Sequence, residues 1–348
     1  MKIAVFADLH AHIYKDFDGP NDDYESQRLA NIVHSLHFIH GYVMGHHIDY
    51  TLFAGDLFHT RSKVDTLVYN SIKDALQMFY FNKNRVLAIP GNHDQYDHTD
   101  YPQHSLYGFK NLIYVQDRLD IVPIGEGITV TCVPYSKNVG MIKEFLSSLK
   151  AEDLGEYPIL MFHLGISGGV TGSKSYPLAE AFTPEDLRPE LFKWVVGGHF
   201  HKHQLLGGYD HMMYVGSPIQ HDFGDAGDDR GFVVIDTEAP QGLYTFVPIP
   251  NPKFIEVSMP LAPHSLDLFA DMGDYVKVSL KESEVQDFLA ICPPNLQYKM
   301  ELEREFEEDI RVDVKIGMTP EDIVAKYADE FMPEAKDIGL ELLREVQE

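Results

Sequence analysis

Five short clusters of Asp, His and Asn punctuate this chain, each where an apolar run ends: Asp8-Leu9-His10, Gly55-Asp56, Gly91-Asn92-His93-Asp94, His163, and Gly197-Gly198-His199-Phe200-His201. A fold that uses them together must bring several strand ends to one place. One cation takes roughly four to six such ligands. These clusters offer more, which points to two cations sharing a carboxylate. Two adjacent cations can clamp the attacking and leaving oxygens of a displacement at phosphorus. The pattern therefore predicts a metal-dependent phosphoesterase.

The runs before the clusters set the fold class. Residues 2–7 (KIAVFA), 50–54 and 85–89 read as strands buried on both faces. Between them, residues 25–47 and 64–81 read as helices; Leu29, Ile32, Val33, Leu36, Ile39 and Val43 line one face of the first. This β-α-β-α-β order predicts parallel strands with right-handed crossovers. Further strands are predicted at 112–115, 121–124, 128–133, 158–162, 194–197, 212–215 and 231–236, with a helix at 138–149. The expected architecture is α/β: a four-layer α/β/β/α sandwich with its ligands beyond the carboxyl ends of the strands. Prolines gather at 240–253, so a boundary is expected near 250 to 260. Beyond it the sequence predicts strands at 275–280 and 310–316, then acidic helices at 319–331 and 333–347. Thr319-Pro320-Glu321-Asp322 is a good helix start. The expected division is a catalytic domain over 1–250, a small α+β capping domain over 251–317, and C-terminal helices over 318–348.

Taken singly, D-x-H and G-D are common in loops, and a lone histidine after a strand is usually structural. The Gly91–Asp94 run is more specific, because it packs an amide oxygen, an imidazole and a carboxylate into one turn. His199 and His201 alternate with Phe200 and so point the same way. Convergence at strand ends is what carries the metal reading. No H-E-x-x-H occurs, which disfavours a metalloprotease.

The order D-x-H, G-D, G-N-H-D, H, G-H-x-H resembles that of the calcineurin-like metallophosphoesterases over residues 1–236. The resemblance implies one cation on Asp8, His10, Asp56 and His201, and a second on Asp56, Asn92, His163 and His199, with Asp56 shared. It implies that His93 faces the phosphate. Asp94 is then expected to fix the tautomer of His93. A mixed imidazole, carboxylate and amide set suits Mn²⁺, with Mg²⁺, Fe²⁺ or Zn²⁺ as alternatives. A narrower resemblance lies in Tyr214-Val215-Gly216-Ser217-Pro218, Phe223-Gly224-Asp225-Ala226-Gly227-Asp228 and Arg230-Gly231-Phe232-Val233-Val234-Ile235-Asp236. These stretches are similar to the nuclease subunits of SbcCD-type DNA repair complexes, including viral homologues. They imply a Mn²⁺-dependent exonuclease and endonuclease acting on DNA ends. They also imply a homodimer and an SMC-like ATPase partner gripped by the C-terminal helices. A phosphatase or cyclic-nucleotide phosphodiesterase is the alternative on the same fold. A non-catalytic scaffold is disfavoured, because every ligand position is filled.

Where such nucleases carry Leu-Gly after the D-x-H histidine, this chain has Ala11-His12. His12 is a candidate substrate contact, though it also reads as a surface loop residue. Candidate phosphate contacts are Lys15, Arg61, Lys63, Lys137 and Lys174. The net charge is −26, from 54 carboxylates against 28 Lys and Arg. Such a surface repels nucleic acid unless cations or a basic partner intervene. Cys132 and Cys292 sit in apolar contexts and read as buried reduced thiols. The chain opens directly on a strand pattern and has no long apolar run. An intracellular, cytoplasmic location without a membrane span is the expectation.

Overall fold

The computed structural model describes residues 1–97, 103–172, 180–303 and 318–347. The elements of the first half are β1 (Lys2–Phe6), α1 (Gln27–Gly45), β2 (Tyr50–Phe53), α2 (Thr66–Phe81), β3 (Arg85–Ala88), β4 (Tyr114–Val115), β5 (Asp120–Gly125), β6 (Ile128–Val133), α3 (Val139–Ser148) and β7 (Tyr157–His163). Then come β8 (Trp194–Gly198), β9 (Gln204–Leu205), β10 (Met212–Tyr214), β11 (Gly231–Asp236), β12 (Tyr244–Pro248), β13 (Phe254–Ser258), α4 (Pro263–Met272), β14 (Tyr275–Leu280), α5 (Val285–Ile291), β15 (Gln297–Leu302), α6 (Pro320–Phe331) and α7 (Lys336–Gln347).

Two six-stranded sheets face each other. The first runs β12-β11-β1-β2-β3-β4, with β1 to β4 parallel; the second runs β5-β6-β7-β8-β10-β9, with β6, β7, β8 and β10 parallel. Alternation along β1 explains the layering. Ile3 and Val5 point between the sheets and meet Val130, Met161, Trp194 and Val196 of the second sheet. Ala4 and Phe6 point outward to Leu29, Val33 and Leu36 of α1 and Ile72 of α2. The outer face of the second sheet is covered by Ile142 and Leu146 of α3. Each central strand is thus buried on both sides, the physical origin of its continuous apolar run. The result is the expected α/β/β/α sandwich. α1 starts at Ser26, whose hydroxyl accepts the Leu29 N–H at 3.0 Å. Cys132 lies fully buried between the sheets, and burial raises its thiol pKa; Cys292 is half-buried, and both are free thiols.

The chain divides into two compact units, Met1–Glu301 and Leu302–Glu348. In the first, β13, β14 and β15 form a third sheet, with β13 and β14 parallel. Leu266 and Ala270 of α4, Val276 and Val278 of β14 and Phe288 of α5 give it a small core of its own. The sequence shows only β14 of this sheet; the other expected strand, 310–316, lies outside the described residues. In the second unit, α6 and α7 form the two acidic helices. Thr319 caps α6 reciprocally with Asp322: the Thr319 N–H donates to the carboxylate at 3.0 Å, and the Asp322 N–H to the hydroxyl at 3.2 Å. Among the described residues no helix is long and apolar enough to cross a membrane.

The carboxyl ends of β1 and β2 meet that of β8 closely. A Cβ on Gly198 would lie 2.6 Å from the Ala54 carbonyl oxygen and 2.7 Å from the Ala7 Cβ. Gly198→Ala is therefore expected to lower stability by about 1–3 kcal/mol through overpacking. Urea unfolding measures this, and an unchanged midpoint would contradict the close approach of the two sheets.

Candidate metal centre

All five clusters meet at these carboxyl ends. Asp8 and His10 leave β1, Asp56 leaves β2, Asn92 and His93 leave β3, His163 ends β7, and His199 and His201 follow β8. The turns are unusual: Asp8, His10, Asp56 and His199 hold φ at 55°, 48°, 60° and 106°. Non-glycine residues rarely occupy this region. Backbone bonds past the strand ends hold three of them, from Asp8 N–H to Gly55 O at 2.9 Å and from His10 N–H to Asp56 O at 3.0 Å. Gly55 and Gly91 let the loops close in. A Cβ on Gly91 would fall 2.2 Å from Asp56 Oδ1, and one on Gly55 would fall 2.5 Å from His163 Nδ1.

Donor and acceptor accounting at the centre shows what the cluster needs. His163 Nδ1 lies 2.6 Å from the Ala54 carbonyl, which can only accept, so this nitrogen carries the hydrogen. Its Nε2 then turns toward Asn92 Oδ1 at 3.0 Å and Asp56 Oδ2 at 3.3 Å. Asn92 Oδ1 also faces His199 Nδ1 at 3.0 Å. The other side of Asp56 Oδ2 faces His10 Nε2 at 3.5 Å, and His10 Nε2 faces His201 Nε2 at 3.1 Å. Lone pairs converge here, and a bound cation or a proton must lie between them. His10 Nδ1 is buried without a partner. Two triplets bring ligand atoms within 4.8 Å of one another: Asp8, His10, His201 and Asp8, Asp56, His163. A third triplet joins His10, His59 and His93.

The electrostatics agree with this accounting. Against the effect of burial, Asp56 and then Asp8 push His163 up to about 9. Burial pushes Asp8 up to about 6 and holds His199 down to about 3. Two buried carboxylates thus leave the cluster short of positive charge. The residues fit divalent cations of the oxygen and imidazole type.

His93 stands at the rim of this cluster. Its N–H donates to Asp56 Oδ1 at 2.8 Å, and its Nδ1 lies 2.6 Å from the His59 carbonyl, leaving Nε2 for the cleft. This corrects the expectation for Asp94. The carboxylate accepts N–H groups of Asp56 (2.8 Å), Leu57 (3.0 Å) and Gly91 (3.0 Å) and the Ser105 hydroxyl (3.0 Å). It braces the loops, and the His59 carbonyl sets the tautomer of His93. Adjacent residues in this turn point apart, so neighbourhood in sequence misleads.

The cleft over the cluster holds about 480 Å³. Of the five basic candidates, Lys15 lines it; Arg61, Lys63 and Lys137 are exposed but not part of its lining, and Lys174 lies outside the described residues. His12 packs near Tyr14 and His59, with ring centroids at 5.3 Å from each, and does not line the cleft. Among the lining residues that the sequence leaves out of the site are His59, His221 and Lys299. His59 stacks on His93 at 5.5 Å. His221 lies 3.1 Å from the Asp8 carbonyl and 5.0 Å, centroid to centroid, from His201. Lys299 comes from β15. The position of His59 three residues past Asp56 is the one signal that could have flagged it.

Residues 1–203 match the family described as calcineurin-like phosphoesterase. The chain is similar to the SbcD nuclease subunit of Staphylococcus epidermidis, 27% identical over 237 residues that cover 60% of this chain and 61% of that protein. It is also similar to exonuclease subunit 1 of Enterobacteria phage T4, 26% identical over 191 residues covering 53% and 52%. The matches thus span less than two thirds of each relative. Among solved structures, a dimetal phosphatase from Danio rerio aligns with a TM-score of 0.39 at 9% identity, covering 67% of this chain and 91% of that one.

A cation bound at His163 Nε2 must displace the proton that Asp56 and Asp8 hold there up to about 9. Mn²⁺ binding is therefore expected to release protons and to tighten as pH rises from 6 to 8. Calorimetry in buffers of different ionisation enthalpy checks both, and pH-independent binding would contradict the proton that Asp56 and Asp8 hold on His163.

Proposed function

The chain belongs to the calcineurin-like phosphoesterase family, and from that premise we propose that it is the nuclease subunit of a DNA-processing complex. It would hydrolyse phosphodiester bonds at DNA ends with two divalent cations, most suitably Mn²⁺. The observation that carries the two-cation part is Asp56 Oδ2, flanked by His163 Nε2 at 3.3 Å and His10 Nε2 at 3.5 Å. That is where a shared carboxylate belongs. In this reading Asp8, His10, Asp56 and His201 hold one cation, and Asp56, Asn92, His163 and His199 the other. The DNA part is supported by similarity to two proteins named as nucleases, one bacterial and one from a phage.

When bound, the cations supply the Lewis acidity that activates water and offsets phosphoryl charge. The chain's own residues do the rest. Asp56 fixes the spacing of the two ligand sets, and its Oδ1 anchors the His93 backbone. His59, through its carbonyl, keeps the hydrogen of His93 on Nδ1. Nε2 of His93 is thereby aimed into the cleft, where in its protonated form it can donate to the leaving oxygen. The surface is strongly acidic, so affinity for DNA must come from the cations, from the few cleft lysines and from a partner.

That partner is proposed to be an SMC-like ATPase held by α6 and α7, within a homodimeric assembly. Their exposed apolar side chains, Tyr327, Phe331, Ile338 and Leu342, with Met332 between the two helices, support this role for residues 318–348. Residues 251–317 would then cap the catalytic domain over 1–250.

End-labelled linear duplex DNA is expected to be degraded with Mn²⁺ and not with chelator. His93→Ala should lower the rate by about 100-fold while retaining Mn²⁺. Hydrolysis of a chromogenic phosphodiester without DNA cleavage would move the substrate to a small phosphoester; equal loss of metal in the variant would remove His93 from the acid role.

A further inference from the structure

The cleft that holds the histidines and carboxylates has a second wall of different chemistry. Phe17 and Phe223, both half-buried, front it. Their ring centroids lie 5.5 Å apart. Behind them Phe254 and Tyr275 are buried, with centroids 6.0 and 5.6 Å from that of Phe17. The loop carrying Phe17 is tied to the centre. The Tyr14 hydroxyl donates to the His10 carbonyl at 3.0 Å. The buried Arg28 guanidinium lies 4.2 Å from the Tyr14 ring centroid and donates to the carbonyls of His221 (2.6 Å) and Asp16 (3.2 Å). Phe17 itself holds φ at 56°, a conformation a bulky residue keeps only when its surroundings fix it. Two exposed cations, Lys15 and Lys299, stand on the same cleft, as do two carboxylates, Asp16 and Asp222.

A ligand that is only an anion gains little from this wall, where flat apolar rings predominate and the lysines are offset by acids. A nucleotide matches both walls: its phosphate suits the histidine and carboxylate cluster, and its base suits the ring faces. The cleft volume is within the roughly 300–1,000 Å³ typical of small-ligand sites. A base inside a duplex has both faces covered, so it can use an aromatic wall only after leaving the stack.

We propose that the aromatic wall centred on Phe17 is a nucleobase subsite, taking the base next to the scissile phosphate after it has swung out of its stack. This rests on the nuclease reading above. Phe17 is then a specificity-determining residue, and frayed or unpaired ends are the preferred substrate.

The test compares an oligonucleotide bearing a normal nucleotide at the scissile position with one bearing an abasic residue there, in Mn²⁺, for the full chain and its variants. The unsubstituted protein is expected to cleave the base-bearing strand about tenfold faster in kcat/KM, the range that one base stacked on an aromatic ring supports. Phe17→Trp should keep that ratio. Phe17→Leu, which keeps an apolar side chain in the cluster without the aromatic face, and Phe17→Ala should bring it near one by slowing the base-bearing strand alone. Equal rates on the two strands with the unsubstituted protein, or a tenfold ratio surviving in Phe17→Leu, would overturn the subsite. Cleavage of neither strand alongside turnover of a chromogenic diester would instead fail the nuclease reading, and the subsite with it.

Discussion

One buried carboxylate holds the centre in shape. Asp94 gathers N–H groups from the loop after β2 and from its own loop after β3, and takes the Ser105 hydroxyl as well. Buried polar groups carry a large penalty when unpaired, so one acceptor meeting several donors locks both loops together. That lock lets Asp56 remain at a positive φ, and through the paired backbone of Asp8 to Ala11 it extends to the first cluster. Each such conformation costs about 1–3 kcal/mol. The offset comes from contacts between segments far apart in sequence, and so the centre exists only in the assembled sandwich.

The two sheets make complementary contributions. The first supplies both carboxylates, the amide and His10; the second supplies His163, His199 and His201. Both carboxylates thus come from one layer and three of the four imidazoles from the other, and they meet at the seam. Asp8 also accepts the His199 N–H through both oxygens, at 3.0 and 3.1 Å, stitching one sheet to the other. Cations bound at this seam would hold the layers together as well as act on substrate. In a chain of net charge −26, this is also a place where attraction for an anionic substrate can be concentrated.

Much of the architecture was legible because the central strands are buried on both faces and leave uninterrupted apolar runs. β1, β2, β3, β7 and β8 are of this kind, and each delivers a cluster at its end. β9, with two residues, carries too little pattern to read. β12 lies within the proline-rich stretch, β13 follows it directly, and β15 exposes most of its residues, so none shows a strong period. At the centre, ligand-type residues were visible by chemistry and spacing. What was not visible came from chain crossings: His221 and Lys299 reach the cleft from distant segments, and Asp94 turns away from its neighbour. The aromatic wall was illegible for the same reason, since Phe17, Phe223, Phe254 and Tyr275 are scattered through the sequence and meet only where the third sheet packs beside the cleft.

The two thiols differ in a way that has practical reach. Burial raises the pKa of both, but Cys132 is sealed between the sheets, whereas Cys292 is only half-buried, beside Pro293 in the small third-sheet layer. A thiolate-seeking reagent should therefore mark Cys292 alone while the sandwich is closed. Cys132 becomes a built-in clock: it reacts only when the layers part, so pulse labelling at that one atom would time the opening of the inter-sheet core separately from motions of the third sheet.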